Sequence, residues 1–198
     1  FFYTNIKGKP YCDIDWDPVC DQDYKDKGFN FKFRLKEEGV LPAIALGIND
    51  IAGSGYYSSE YIVASYGINK TDFHFGLGWG QLNGSKERFK NPLGKINDSF
   101  YHRPQNINDE GGQFQPSKYF SGETTSPFLG ISHAINEKYL FKLEYDITST
   151  PGKIGYEEAE QEFSLGLDFN LTKNLTIGIS TERGNATTIR FSYKNDPK

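Results

Sequence analysis

Residues 163–171 read Phe-Ser-Leu-Gly-Leu-Asp-Phe-Asn-Leu, and their alternation decides the fold. In an extended chain Phe163, Leu165, Leu167, Phe169 and Leu171 share one face. Ser164, Gly166, Asp168 and Asn170 share the other. The rhythm returns in Phe29, Phe31, Phe33 and Leu35 against Asn30, Lys32, Arg34 and Lys36. It returns in Phe73, Phe75, Leu77 and Trp79 against His74, Gly76, Gly78 and Gly80. A fourth copy sets Tyr139, Phe141, Leu143, Tyr145 and Ile147 against Leu140, Lys142, Glu144 and Asp146. A period of two marks β-strands.

Ten segments read as strands: Phe2–Lys7, Phe29–Lys36, Val40–Asn49, Ser59–Gly67, Asp72–Leu82, Pro127–Ile135, Tyr139–Thr148, Gln161–Leu171, Leu175–Glu182 and Thr188–Asn195. No segment has a helical period, so the chain is all-β. The connections alternate in length. Glu37-Glu38-Gly39, the turn from Ile68 to Thr71, Asn136-Glu137-Lys138 and Thr172-Lys173-Asn174 are tight hairpins. Between them lie Gly8–Gly28, Asp50–Ser58, Asn83–Ser126 and Ser149–Glu160, with only Arg183–Thr187 short at that end. A soluble sandwich has no reason to sort loops by end. Short turns at one end and long extracellular loops at the other are the pattern of outer-membrane barrels. The expected fold is therefore an antiparallel up-and-down transmembrane β-barrel of about ten strands, a single domain over residues 1–198.

Composition agrees with that fold without requiring it. Apolar residues make up 36% of the chain, as in a barrel whose strands are half polar. Aromatics reach 16%, enough for interfacial girdles or for an ordinary β core. No run of about 18 apolar residues exists, which excludes a transmembrane helix. The net charge of −4, with no basic stripe, argues against nucleic acid as a partner.

On the barrel reading the polar faces line a lumen. Lys32, Arg34, His74, Lys142, Glu144, Asp168 and Arg190 are the lumen-lining candidates. Glu144 and Asp168 have the residue types of a glycosidase pair. Carboxylates facing lysines and arginines are the commoner arrangement in barrels, and no nucleophile is tied by spacing to His74, His102 or His133. The chain is therefore not expected to be an enzyme, and it carries no cofactor motif. Gly76-Leu77-Gly78-Trp79-Gly80 lies within a strand, which rules out a phosphate loop. Its glycines leave room in the lumen or permit curvature. The 83–126 loop holds Phe89, Phe100, Tyr101, Phe114, Tyr119 and Phe120, enough aromatic weight for a plug or lid; a floppy surface loop is the plain alternative.

Cys12 and Cys20 share one loop and are expected to pair as a local disulfide in an oxidising compartment. Two thiols with no nearby histidine make a poor zinc site, so no metal is expected there. Asp13, Asp15 and Asp17 resemble the start of a calcium loop. Pro18 and Tyr24 stand where that loop needs Gly and Glu, so a solvated acidic loop is the better reading.

Several of these stretches resemble the YjbH family. The run Leu41-Pro42-Ala43-Ile44-Ala45-Leu46-Gly47-Ile48-Asn49-Asp50 carries the likeness, with Gly53-Ser54-Gly55 and Ser58–Ser65 after it. Phe73–Gly80 continues it, and Tyr3–Ile6, Phe33–Gly39 and Leu143–Asp146 match flanking segments. The likeness is specific around residues 29–82 and weak in the two loops at 12–20 and 83–126. It implies a bacterial outer-membrane β-barrel linked to production and secretion of exopolysaccharide or group 4 capsule. It also implies a longer protein, of which this chain is the first barrel region. Family members are often described as lipoproteins, but no lipid-bearing N-terminal cysteine stands here. The expected partners are outer-membrane lipid, a polysaccharide and other envelope proteins. The alternative role is a plugged barrel serving as anchor or structural partner in an envelope complex.

Overall fold

The alternating stretches pair with one another in chain order. In a computed structural model, the described residues are 1–11, 22–53, 55, 57–84, 88–104, 114–148 and 159–195. The strands are β1 (Phe2–Tyr11), β2 (Gln22–Lys36), β3 (Ala43–Ile51), β4 (Ser59–Ile68), β5 (Thr71–Gly80) and the two-residue β6 (Phe89–Lys90). They continue as β7 (Thr124–Ala134), β8 (Tyr139–Tyr145), β9 (Phe163–Asn170), β10 (Leu175–Glu182) and β11 (Ala186–Tyr193). All ladders are antiparallel, and the sheet order is β1-β2-β3-β4-β5-β7-β8-β9-β10-β11, with β6 pairing the start of β7. This is the expected up-and-down meander. Closure into a barrel is not seen: among the described residues β1 and β11 do not pair, so the sheet keeps two edges.

The sorting of loops by end holds. Residues 37–42, 69–70, 135–138 and 171–174 turn at one end of the sheet. The other ends of these hairpins, where β1 meets β2, β3 meets β4, β5 meets β7 and β8 meets β9 in chain order, lie opposite, with the short 183–185 turn among them. Asn69 takes a left-handed φ of 56° in its two-residue turn, and Arg183 and Gly184 take 51° and 81° in theirs, as tight hairpins require.

Several boundaries differ from the sequence reading. The first hairpin extends well beyond the apolar belt, because β1 runs to Tyr11 and β2 begins at Gln22. Asp23, Lys25 and Lys27 carry no apolar alternation, yet their backbones pair as well as any. The ladder slips between Ile6 and Pro10, where proline has no N–H to offer. β3 begins only after Pro42. β5 stops at Gly80, whose φ of 63° turns the chain and brings Leu82 over Gly78.

The distribution of side chains is inverted relative to a soluble domain. Among the described residues only Val63, Trp79 and Ile147 are buried hydrophobics. The buried polar set is larger and includes Asp50, Glu60, Asn91, Thr125, Ser126 and Asp168. Meanwhile Phe31, Phe33, Phe73, Phe75, Leu129, Phe141, Phe163, Leu165, Leu167 and Ile179 are exposed. Register places them on one face: Phe75 opposes Leu129, Phe141 opposes Leu167, and Leu167 opposes Ile179. Phe29, Phe31 and Phe33 run along β2 as a ladder with ring centroids 6.5 and 6.2 Å apart, and Phe1, beside the start of β1, extends it at 5.7 Å from Phe29.

The described parts of the connection between β5 and β7, residues 81–84, 88–104 and 114–123, pack on one another and on the sheet. Asn91, fully buried, organises them. Its amide donates to the carbonyls of Phe100, Phe120 and Gly122 at 3.0 Å each, and its Oδ1 accepts from the N–H of Leu93. Arg103 fastens the segment to the sheet. It donates from both Nη atoms to the Glu60 carboxylate, at 2.7 and 2.9 Å, and also to the Lys118 carbonyl and the Ser58 hydroxyl. Phe120 adds its N–H to Glu60 and packs edge-on against Trp79, 5.4 Å between centroids. Glu60 opposes Trp79 and Ile48, so it lies in the apolar register of β4 at the long-loop end. The segment is therefore a cap folded over the rim of the apolar face.

Arg103→Ala should leave a fully buried carboxylate without its cation, a loss of about 3–5 kcal/mol. Chemical unfolding should show the loss, and limited proteolysis should cut within residues 88–123 at lower protease levels than in the wild type.

Candidate functional site

The polar face owes its character to the alternate positions of the same strands. Lys142 opposes Gly166, Asp168 opposes Gly178, and Gly178 opposes Arg190. Four strands thus bring Lys142, Asp168 and Arg190 into one row. Lys142 Nζ lies 2.6 Å from Asp168 Oδ2. Arg190 Nη2 donates to both Asp168 oxygens, at 2.8 and 2.7 Å. Asp168 is 9% exposed, so both contacts act in a partly desolvated setting where charged hydrogen bonds are stronger.

Gly178 makes the contact across β10 possible. A Cβ there would stand 2.5 Å from Asp168 Oδ1 and 3.4 Å from Arg190 Nε. Gly166 is different: its Cβ would meet only ordinary contacts, 3.6 Å or more from Ser180 and Lys142.

The row borders a concavity of about 340 Å³ on the polar face of β8–β11. Glu144, Ser164, Ser180 and Thr188 line it together with the ionic row. At its long-loop end Arg183 lies 3.4 Å from Asp146 and donates to the Thr148 carbonyl. Lys142, Arg183 and Arg190 are set against Glu144, Asp146, Asp168 and Glu182, a nearly balanced set of charges. Hydroxyls, carboxylates and cationic N–H groups arranged this way can bind a polyhydroxylated ligand. No group of three or more His, Cys, Asp or Glu that could hold a metal occurs among the described residues.

The remaining candidates lie apart from this row. Lys32 is on the polar face of β2, opposite Gly47. Arg34 is exposed and sits 3.6 Å from Glu37, a surface pair of little energetic weight. His74 is on the polar face of β5, its Nδ1 2.8 Å from Ser65 Oγ. Glu144 shares the concavity, but it is Asp168 that the two cations hold. Cys12, Cys20 and the Asp13–Asp17 run lie outside the described residues.

Two groups were missed. Arg103 and Lys118 line a second concavity, of about 290 Å³, with Ser58, Gly55 and Gly80 at the long-loop rim. Burial, and then the adjacent Arg103 charge, holds the Lys118 ammonium below its ordinary value. Glu60 was a usable signal, because it is a carboxylate in phase with Ile62 and Ala64. Tyr61 and Phe128 form the other group. They are aromatic side chains in the polar phase of β4 and β7, their rings 6.2 Å apart and edge-to-face.

The described residues thus form an antiparallel up-and-down β-sheet with an exposed apolar face and an ion-paired polar face. The chain belongs to the YjbH family: the family model, described as "Exopolysaccharide biosynthesis protein YbjH", matches residues 1–198. It is also 36% identical over 200 residues to a protein of Escherichia coli (strain K12) named "Uncharacterized lipoprotein YjbH". That alignment covers 98% of this chain and 28% of the relative, so the chain spans little more than a quarter of the relative's length. No solved structure matches.

Gly178→Ala should push Asp168 off Arg190, whereas Gly166→Ala should be tolerated. The difference in unfolding free energy between the two variants should be about 1.5–3 kcal/mol, the usual worth of a hydrogen bond to a charged group.

Proposed function

We propose that this chain forms wall strands of an outer-membrane β-barrel that takes part in exopolysaccharide export or assembly, and that it is not an enzyme. The observation that carries this reading is the apolar face. A sheet that exposes phenylalanines and leucines along one whole face, while burying carboxylates and amides, is unsuited to water; lipid is the solvent that suits it. The lengths of β3, β4, β5 and β7 agree, at 9, 10, 10 and 11 residues, since a tilted strand crosses the hydrocarbon in about 9–11; β8–β11 are shorter, at 7 or 8. Further strands of a longer protein, or a second copy, would pair the two edges and close the wall. The relative's name as a lipoprotein supports an envelope location, and the family description supports the link to exopolysaccharide.

On this reading the polar face lines the lumen, and Lys142, Asp168 and Arg190 are structural charges of its wall. Sugar hydroxyls would meet Glu144, Ser164 and Ser180 there. The partners proposed are lipid, the polysaccharide and other envelope proteins. One observation favours the second reading, a filled barrel acting as an anchor: Leu82, Tyr61 and Phe128 all lie over glycines of the polar face and take up space. Conductance in planar bilayers separates the two, because a conduit passes ions and an anchor does not.

Two measurements test the proposal. Leu167→Arg should cost about 2–4 kcal/mol if Leu167 lies near the bilayer midplane, seen as reduced insertion into vesicles of outer-membrane lipid. Deletion of the gene should lower surface polysaccharide, and the Glu144→Gln and Asp168→Asn variants should restore it. Unchanged glycan amount and chain length in the deletion strain would refute the export role. Loss of complementation by either variant with normal folding would favour catalysis.

A further inference from the structure

On the polar face of β4–β11, two aromatic side chains stand among smaller and polar ones. Tyr61 and Phe128 occupy positions that Ser65, Gly76, Gly78 and Gly130 otherwise fill. Their neighbours across the ladder are glycines: Gly47 opposes Tyr61, and Gly76 opposes Phe128. A Cβ at Gly47 would overlap the Tyr61 ring, and one at Gly76 would overlap the tip of Phe128. The glycines therefore let both rings lie down across the sheet instead of standing out from it. Both rings remain partly exposed, and their edge-to-face contact fixes each against the other.

This arrangement shares the polar face with the concavity. Phe128 is two positions from Gly130 on β7, and Gly130 opposes Glu144 of the concavity, while the two rings lean the other way, over Gly76 of β5 and Gly47 of β3. One face thus carries an aromatic pair on β4 and β7 and, beyond it on β8–β11, a set of hydroxyls, carboxylates and cations. The combination matches the two sides of a pyranose, which has a C–H face suited to an aromatic ring and a rim of hydroxyls suited to charged hydrogen-bonding groups. The charge around the concavity is nearly balanced, with carboxylates in slight excess. Such a site does not favour a polyanion.

We propose that Tyr61 and Phe128 form a stacking surface for uncharged pyranose rings, with the Glu144 side of the concavity binding their hydroxyls. The proposal rests on the reading of this face as the glycan path and names the class of sugar that it takes. The rings are positioned before the ligand arrives, so little side-chain freedom is lost on binding.

The test uses the full-length protein in detergent micelles and two probes, maltoheptaose and hexagalacturonate, titrated by calorimetry. The wild type should bind maltoheptaose more tightly than hexagalacturonate. Tyr61→Ala and Phe128→Ala should each weaken maltoheptaose binding about three- to tenfold, the worth of one aromatic contact. Tyr61→Leu and Phe128→Leu keep apolar bulk without a π face and should weaken it similarly, so that a folding defect in the alanine variants does not decide the outcome. Tyr61→Phe should bind as the wild type does. The idea is overturned if the leucine variants bind as the wild type, if hexagalacturonate binds more tightly, or if the wild type binds neither probe. These outcomes are distinct from failure of the export role, which the deletion strain reports whatever the calorimetry shows.

Discussion

The constraint on which this structure depends is that period-two alternation delivers most large apolar side chains to one face, and among the described residues only the rim around Trp79 and Glu60 is covered. In a soluble sandwich a second sheet would bury Phe75, Leu129, Phe141 and Leu167 and supply most of the folding free energy. Here Val63, Trp79 and Ile147 are the buried hydrophobics among the described residues, far too few for a core. Among the described residues the sheet is therefore held by its ladders and by its buried polar contacts. This is why its polar groups are arranged with such care. A carboxylate buried on such a sheet, as Glu60 and Asp168 are, needs a partner that does not depend on bulk water.

The two charge clusters meet that need in different ways. Asp168 faces two cations on the polar side, at a position where small residues leave it room. Glu60 sits in the apolar register and has its partner delivered by a remote segment, with Arg103, Ser58 and the Phe120 N–H closing around it. The second solution also buries Trp79, so one ion pair both satisfies a charge and fastens a long connection. That connection is stiffened further by Asn91, whose amide gathers three carbonyls.

Much of the fold was legible because alternation is a local property. Phe163 to Leu171 can be read without knowing what they touch, and so can the tight turns. The extension of the first hairpin was not legible. Residues 22–28 carry mixed charges in place of an apolar rhythm, and a ladder made by the backbone leaves no trace in such a stretch. The site was legible by face but not by partner. Register sets Lys142, Glu144, Asp168 and Arg190 on one side, and the choice of Asp168 over Glu144 depends on that register and on Gly178 lying between. The Glu60–Arg103 pair spans 43 positions and could be suspected only from the wrong phase of Glu60. Tyr61 and Phe128 likewise stood out of phase on the polar side.

The Asp168–Arg190 contact has a consequence for how the strands find each other. It joins β9 to β11 over the top of β10. The apolar patterns of these strands, with Ile177 and Ile179 facing Phe169, Leu167, Phe191 and Ile189, are nearly indifferent to a slide of two residues, which keeps every face in place. Such a slide moves a strand by about 6.6–6.8 Å. It would carry the guanidinium out of reach of the carboxylate and set a bulkier side chain where Gly178 had cleared the way. Hydrophobicity alone would accept several alignments of this part of the sheet. A charge pair that skips a strand rejects the alignments that separate its members, so it serves as a check on alignment during assembly.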